Sequence, residues 1–62
     1  MCEANVYLLD ENGNTNLLLD AVDKVIPGEH DSIFLENIYG ERKTIQARIK
    51  EMHLVDHKII LE

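Results

Sequence analysis

Cys2 is the only cysteine in this chain of 62 residues, and it lies beside the N-terminal amine. A thiolate next to an amine or a deprotonated amide nitrogen suits Ni(II) or Cu(II), and copper is the main rival because affinity generally rises to Cu(II). If Met1 is removed, the Cys2 amine and thiolate form a bidentate chelate, and two chains supply an N2S2 set. If Met1 stays, its amine and the Cys2 amide and thiolate supply a tridentate set that the partner chain or solvent completes. Both sets must lose protons, so metal affinity is expected to fall as pH falls.

The three histidines are weaker candidates for metal ligands. His30 lies between two acidic residues in a polar loop, where such groups can bind a divalent ion but more often form a solvated turn. His53 and His57 flank a predicted hairpin, and a separation of four residues does not make them converge in a strand, turn and strand. We therefore interpret all three as turn residues.

No pattern in the chain indicates catalysis. The three glycines, Gly13, Gly28 and Gly40, each lie in an expected turn rather than in a phosphate-binding loop. No sequence signature of a nucleophilic cysteine accompanies Cys2. With twelve acidic residues among 62, close carboxylate pairs arise by chance and carry no information. The sequence predicts a protein that is not an enzyme.

The length and the charge limit the classes of function. A chain of this size forms one domain, residues 1–62, which buries only roughly 60% of its unfolded surface, so a metal or a dimer is expected to add stability. The net charge of −6 argues against a general nucleic-acid binder. No apolar run is long enough to span a membrane, and the first residues lack the basic region of a signal peptide. We expect a cytoplasmic protein, in which reducing conditions keep Cys2 as a thiol.

Turn signals and period-two alternation predict a small antiparallel β protein. Asn12-Gly13 tolerates positive φ at both central turn positions, so the first two strands are expected to form a hairpin. Pro27-Gly28 and Asp56-His57 mark further turns. The predicted strands are Asn5 to Leu9, Thr15 to Asp20, Ser32 to Asn37, an alternating segment from Thr44 to Lys50, and Ile59 to Leu61. Strands this short curl readily to remove exposed edges, which predicts an SH3-like antiparallel barrel of about five strands.

Three segments carry a resemblance to a known family. They are the opening Met1 to Leu8, the central Asn37 to Glu41, and the closing Arg48 to Lys50 with Leu54 to Ile59. Together they resemble the CooT-like family of small nickel-binding proteins, and the Met-Cys start is the most specific element. The resemblance implies an SH3-like homodimer that handles nickel for carbon monoxide dehydrogenase maturation, with Cys2 as a metal ligand. Members have also been labelled RNA-binding proteins, which rests on analogy of fold.

The sequence thus predicts a cytoplasmic homodimer that binds one Ni(II) ion between two chains through Cys2 and the N-terminal nitrogen of Met1. One alternative is an RNA-binding module, which requires a basic surface patch and an affinity that falls with salt. The other alternative is a peptide-binding module that uses an exposed strand edge or groove and depends on Tyr7 or Tyr39.

Overall fold

The fold is a sheet of six strands, seen in a computed structural model that describes residues 2–62. Its spatial order is β4-β3-β2-β1-β6-β5, and every neighbouring pair is antiparallel except the parallel pair of β1 and β6. The prediction of an all-β fold is confirmed. No helix among the described residues is long and apolar enough to cross a membrane. The strands are β1 (Ala4–Leu9), β2 (Thr15–Pro27), β3 (Ser32–Asn37), β4 (Arg42–Gln46), β5 (Ile49–His53) and β6 (Lys58–Leu61).

The sixth strand arises because the segment from Thr44 to Lys50, predicted as one strand, is divided at Ala47 and Arg48. The backbone N–H of Ala47 donates to the carbonyl of Asp31 at 2.7 Å, beyond the last paired residue of β4. Arg48 and Glu62 then exchange two backbone hydrogen bonds of 3.1 and 2.8 Å. The chain therefore leaves the β3 side of the sheet and joins the β6 side within two residues.

Hydrogen bonding does not close the sheet into the predicted barrel, because β4 and β5 are edge strands that do not pair. Only Ala47 and Arg48 connect these two edges, so the edges approach each other at one end and the sheet curls around its core. Both edge strands are five residues long and carry charged side chains such as Lys43 and Lys50. Short, charged edges discourage pairing with other chains.

The core lies inside the curled sheet. A bulge in β2 explains why Leu17, Leu18 and Leu19 are not all buried in this core. Val6 pairs with Leu19 while the next residue, Tyr7, pairs with Leu17, so Leu18 is an extra residue in β2. Leu19 is buried, whereas Leu17 is 57% exposed on the outer face. The core cluster consists of Val6, Leu19, Val22, Ile33, Leu35, Ala47, Ile59 and Leu61.

The second strand is longer than predicted because it bends and continues to Pro27. A second bulge follows Asp20, where Ala21 has a φ of 52° and donates its N–H to Asn5 Oδ1 at 3.2 Å. Bulges of this kind increase local twist and redirect a strand. As a result, the first half of β2 pairs with β1, and the second half, from Val22, pairs with β3.

The first hairpin differs from its predicted turn geometry. Gly13 has a φ of 84°, but Asn12 is not among the described residues with positive φ. The N–H of Gly13 donates to the carbonyl of Asp10 at 3.1 Å and closes a four-residue turn from Asp10 to Gly13. Only the last residue of this turn, Gly13, lies in the left-handed region. The side chain of Asp10 stabilises this loop, because its Oδ1 accepts the N–H groups of Asn12 and Asn14 at 2.9 Å each.

These bonds make the first hairpin sensitive to acid. The hydrogen bond from the backbone of Asn14, with smaller contributions from Asn12 and Asn16, holds the pKa of Asp10 below its ordinary value. A lowered pKa in the folded state stabilises the fold above the unfolded pKa of about 3.9, and this stabilisation is lost as pH falls further. Asp10→Asn keeps an acceptor oxygen but does not titrate. We expect its melting temperature to fall less than that of the wild type between about pH 5 and 3.

The control for this prediction is Glu11→Gln, which makes the same change in charge at a neighbouring residue outside the hydrogen-bonded set. Circular dichroism melts over the pH series measure both variants. An Asp10→Asn protein with the acid sensitivity of the wild type would contradict the role of this carboxylate.

Candidate metal-binding site

Cys2 lies just before β1, at the end of the sheet where β6 begins. The start of β1 is held on both sides, because Ala4 pairs with Val22 and Asn5 pairs with Lys58. The Cys2 side chain is exposed and is a free thiol. Met1, whose nitrogen is the other predicted ligand, lies outside the described residues. The structure therefore presents the thiol to solvent at one defined end of the fold.

A pocket of about 450 Å³ opens beside this thiol. Its walls come from three segments that are distant in sequence: the chain before β1, the bent part of β2, and the β5–β6 turn with the start of β6. The pocket combines apolar side chains with charged groups of both signs. The lining residues are Cys2, Glu3, Ala4, Val22, Asp23, Val25, Leu54, His57, Lys58 and Ile59.

His57 is the one histidine that lines this pocket together with Cys2. The backbone places it there, because the carbonyl of His57 accepts the N–H of Asn5 at 2.9 Å. His53 is the last residue of β5, and its ring is 3.1 Å from Glu51 Oε1. His30 lies in the β2–β3 turn. His30 and His57 lie in turns, as the sequence predicted. His53, which was also predicted to be a turn residue, belongs to strand β5.

The described residues of one chain do not form a complete set of side-chain ligands. Among residues 2–62, no three His, Cys, Asp or Glu side chains are grouped closely enough to hold a metal ion. A thiolate together with a backbone nitrogen is a donor pair that suits Ni(II), and the exposed Cys2 thiol is the described group that could supply the sulfur. Glu3 and Asp23 add negative charge near the thiol, which attracts cations.

The backbone of His57 is strained, which leads to a prediction about stability. Its φ of 53° lies in the left-handed region, at the position that Gly13 occupies in the first hairpin. Because that region costs roughly 1–2 kcal/mol for a residue with a Cβ, His57→Gly is expected to raise the free energy of unfolding by about 0.5–1 kcal/mol. Urea denaturation measures the change. The control is Gly13→Ala, since a Cβ at Gly13 meets no atom within 4 Å and only the φ of 84° opposes it.

Gly13→Ala should lower the stability by a similar amount. If His57→Gly also destabilises the protein, the His57 side chain makes contacts that outweigh the backbone strain, and this interpretation fails.

Comparison with known proteins identifies the family. Residues 1–62 match the family described as CO dehydrogenase accessory protein CooT. The chain belongs to the CooT family. A crystal structure described provisionally as CooT from Carboxydothermus hydrogenoformans is 47% identical, with a TM-score of 0.86 over 97% of this chain and 94% of that chain. No curated protein matches the chain.

Membership of the CooT family confirms the resemblance predicted from the Met-Cys start and the central and closing segments. The CooT family is described as an accessory protein of CO dehydrogenase, a description that agrees with the prediction of a protein that is not itself an enzyme. Sequence reasoning did not find the pocket beside Cys2. Its walls meet only because β1 and β6 are parallel neighbours, and no local pattern encodes that pairing.

Proposed function

We propose that this protein binds Ni(II) in the cytoplasm and supplies it for the maturation of CO dehydrogenase. The ligands are the Cys2 thiolate and the N-terminal nitrogen of Met1 or, if Met1 is removed, of Cys2 itself. Two chains share one ion. The observation that supports this proposal best is the exposed Cys2 thiol beside a pocket, in a chain of a CO dehydrogenase accessory family.

An exposed ligand suits an ion that is cargo. A metal that is to be passed on must exchange its ligands with those of a recipient, and a thiolate at the surface allows the incoming ligand to approach. The reducing cytoplasm keeps the thiol free for this exchange. A second chain is part of the proposal because the described side chains of one chain do not complete a coordination sphere.

The RNA-binding alternative has less support because the basic side chains are largely engaged. Glu36 binds both Lys24, at 3.2 Å, and Arg42, at 2.9 Å. Lys58 lies 5.4 Å from the centre of the Tyr7 ring, which leaves that ring less available for a base to stack on. Cations that are already paired with carboxylates release few counterions from a nucleic acid, so they contribute little to its binding.

The test of the proposal is a Ni(II) titration of the reduced, tag-free protein, followed by the charge-transfer absorbance between thiolate and metal. We expect saturation near one nickel ion per two chains and an affinity that falls as pH falls, because thiol and amine must lose protons. A parallel titration with Cu(II) measures the competing metal. Absence of nickel binding at neutral pH would contradict the proposal.

A further inference from the structure

The turn of the first hairpin carries an asparagine followed by a glycine, Asn12-Gly13, and both residues are exposed to solvent. The side-chain amide carbon of an asparagine is an electrophile, and the backbone nitrogen of the next residue is a nucleophile that can reach it. Glycine favours this attack, because it has no Cβ to crowd the nitrogen and it allows the backbone the widest range of conformations. The pair therefore has the chemistry of a deamidation site.

The other four asparagines of the chain are less suited to this reaction. Asn37 is buried in the core. The side chains of Asn5 and Asn16 are engaged in hydrogen bonds. Asn14 is exposed in the same loop as Asn12, but the next residue is the β-branched Thr15, which begins β2. A branched side chain hinders the approach of its own backbone nitrogen, so Asn14 serves as an internal comparison.

The folded turn holds the nitrogen of Gly13 in place. Its N–H donates to the carbonyl of Asp10 at 3.1 Å. The side chain of Asp10 accepts the N–H groups of Asn12 and Asn14 at 2.9 Å each, so hydrogen bonds restrain the backbone on both sides of Asn12. To attack the amide carbon of Asn12, the Gly13 nitrogen must lose its proton and rotate out of its hydrogen bond. The reaction therefore requires the turn to open.

We propose that Asn12 deamidates spontaneously through a succinimide formed with the Gly13 nitrogen, and that Asp10 restrains this reaction by holding the turn closed. The Gly13 nitrogen gives its proton to a hydroxide ion and forms a bond to Asn12 Cγ. The bond from Cγ to Nδ2 breaks, and the nitrogen leaves as ammonia after it takes a proton from water, which restores the hydroxide. Water then opens the ring at either carbonyl and leaves aspartate or isoaspartate at position 12.

Either product changes the first hairpin. A neutral amide becomes a carboxylate beside Asp10 and Glu11, which adds one negative charge to a chain with a net charge of −6. Isoaspartate also carries the backbone through its former side chain and adds one methylene group to the turn. Because turn length fixes the register of a hairpin, this product weakens the pairing of β1 with β2. The reaction involves neither a metal nor Cys2, so it is independent of the proposed function.

The experiment incubates the purified full chain in mildly alkaline water enriched in heavy oxygen, once folded and once unfolded in guanidinium chloride. Peptide mapping by mass spectrometry locates each amide that becomes an acid, and chromatography separates aspartate from isoaspartate. In the folded chain, we expect Asn12 to convert roughly tenfold faster than Asn14 or more, because glycine follows it. The product is a mixture of both acids with one heavy oxygen atom incorporated. We expect the unfolded chain to convert faster than the folded one.

The role of Asp10 is tested by Asp10→Ala, which removes the carboxylate that restrains the turn. We expect deamidation of Asn12 in this folded variant to be roughly fivefold faster or more, since two hydrogen bonds that oppose opening are lost. Glu11→Ala is the matched control, because it removes a neighbouring carboxylate outside the hydrogen-bonded set and should leave the rate close to that of the wild type. Circular dichroism measures whether both variants are folded.

Several results overturn the inference. If Asn12 keeps its amide in the folded chain after the unfolded chain has converted, or if Asn14 converts equally fast, Asn12 is not the deamidation site. Aspartate without isoaspartate excludes the succinimide. A wild-type rate in folded Asp10→Ala excludes the restraint by Asp10. Equal rates in the folded and unfolded wild type exclude any restraint by the turn, a result that does not depend on whether Asp10→Ala folds.

Discussion

Replacing Cys2 with serine is expected to weaken nickel binding by roughly 1,000-fold or more. A serine hydroxyl is a poor ligand for Ni(II) at neutral pH, because it keeps its proton and lacks the softness of sulfur. A closed four-ligand zinc site provides about 10–16 kcal/mol in total, so each thiolate carries several kcal/mol, and a shared site loses two thiolates at once. The measurement is the Ni(II) titration described above, followed by thiolate charge-transfer absorbance.

The substitution should leave the fold and the proposed dimer intact, because Cys2 is exposed and precedes the first strand. Glu3→Gln is the matched control, since it removes a charge from the neighbouring pocket residue without removing a thiolate. We expect only a small loss of affinity in this control. Nickel affinity that is unchanged in Cys2→Ser would show that Cys2 is not a metal ligand and would favour the peptide-binding alternative.

The second large effect concerns stability and involves Asn37, the only buried polar residue among those described. Its Oδ1 accepts the N–H groups of Tyr39 and Glu41 at 3.1 and 2.9 Å, and its Nδ2 donates to Glu41 Oε1 at 2.8 Å. Asn37→Leu keeps the branched arrangement of side-chain heavy atoms but leaves those two N–H groups without the oxygen. We expect a loss of about 3 kcal/mol in the free energy of unfolding, measured by urea denaturation.

That loss is large for this protein, since a chain of its length has a total stability of roughly 3–9 kcal/mol. Glu41→Gln is the control, because an amide oxygen can still accept the bond from Asn37. The control should change the stability by less than about 1 kcal/mol. An Asn37→Leu protein as stable as the wild type would mean that the β3–β4 turn finds other partners for its backbone.

The parts of the fold that were predicted well are those set by neighbouring residues. The strand from Ser32 to Asn37 has the predicted bounds, because its alternation places Ile33 and Leu35 in the core. The turn at Asp56-His57 also lies where the sequence indicated, whereas Pro27 is the last residue of β2 and the polar loop after it runs from Gly28 to Asp31. Local conformational preference and period-two alternation are readable in one sequence.

The parts that were missed depend on contacts between distant residues. The division of the fourth predicted strand requires Ala47 to bind Asp31 and Arg48 to bind Glu62, and neither partner is signalled by the alternation. For the same reason, the sequence identified Cys2 as a candidate ligand from its chemistry and terminal position but could not place His57 in the same pocket.

The parallel pairing of β1 with β6 has a consequence for biosynthesis. Cys2 is synthesised before the first strand, but Lys58 and Ile59, which border its pocket, belong to β6 and are synthesised after the other five strands. The pocket therefore cannot assemble before β6 has been synthesised. A truncated translation product carries the thiol without its surroundings, so pairing the first strand with the last makes completion of the sheet a condition for forming the site.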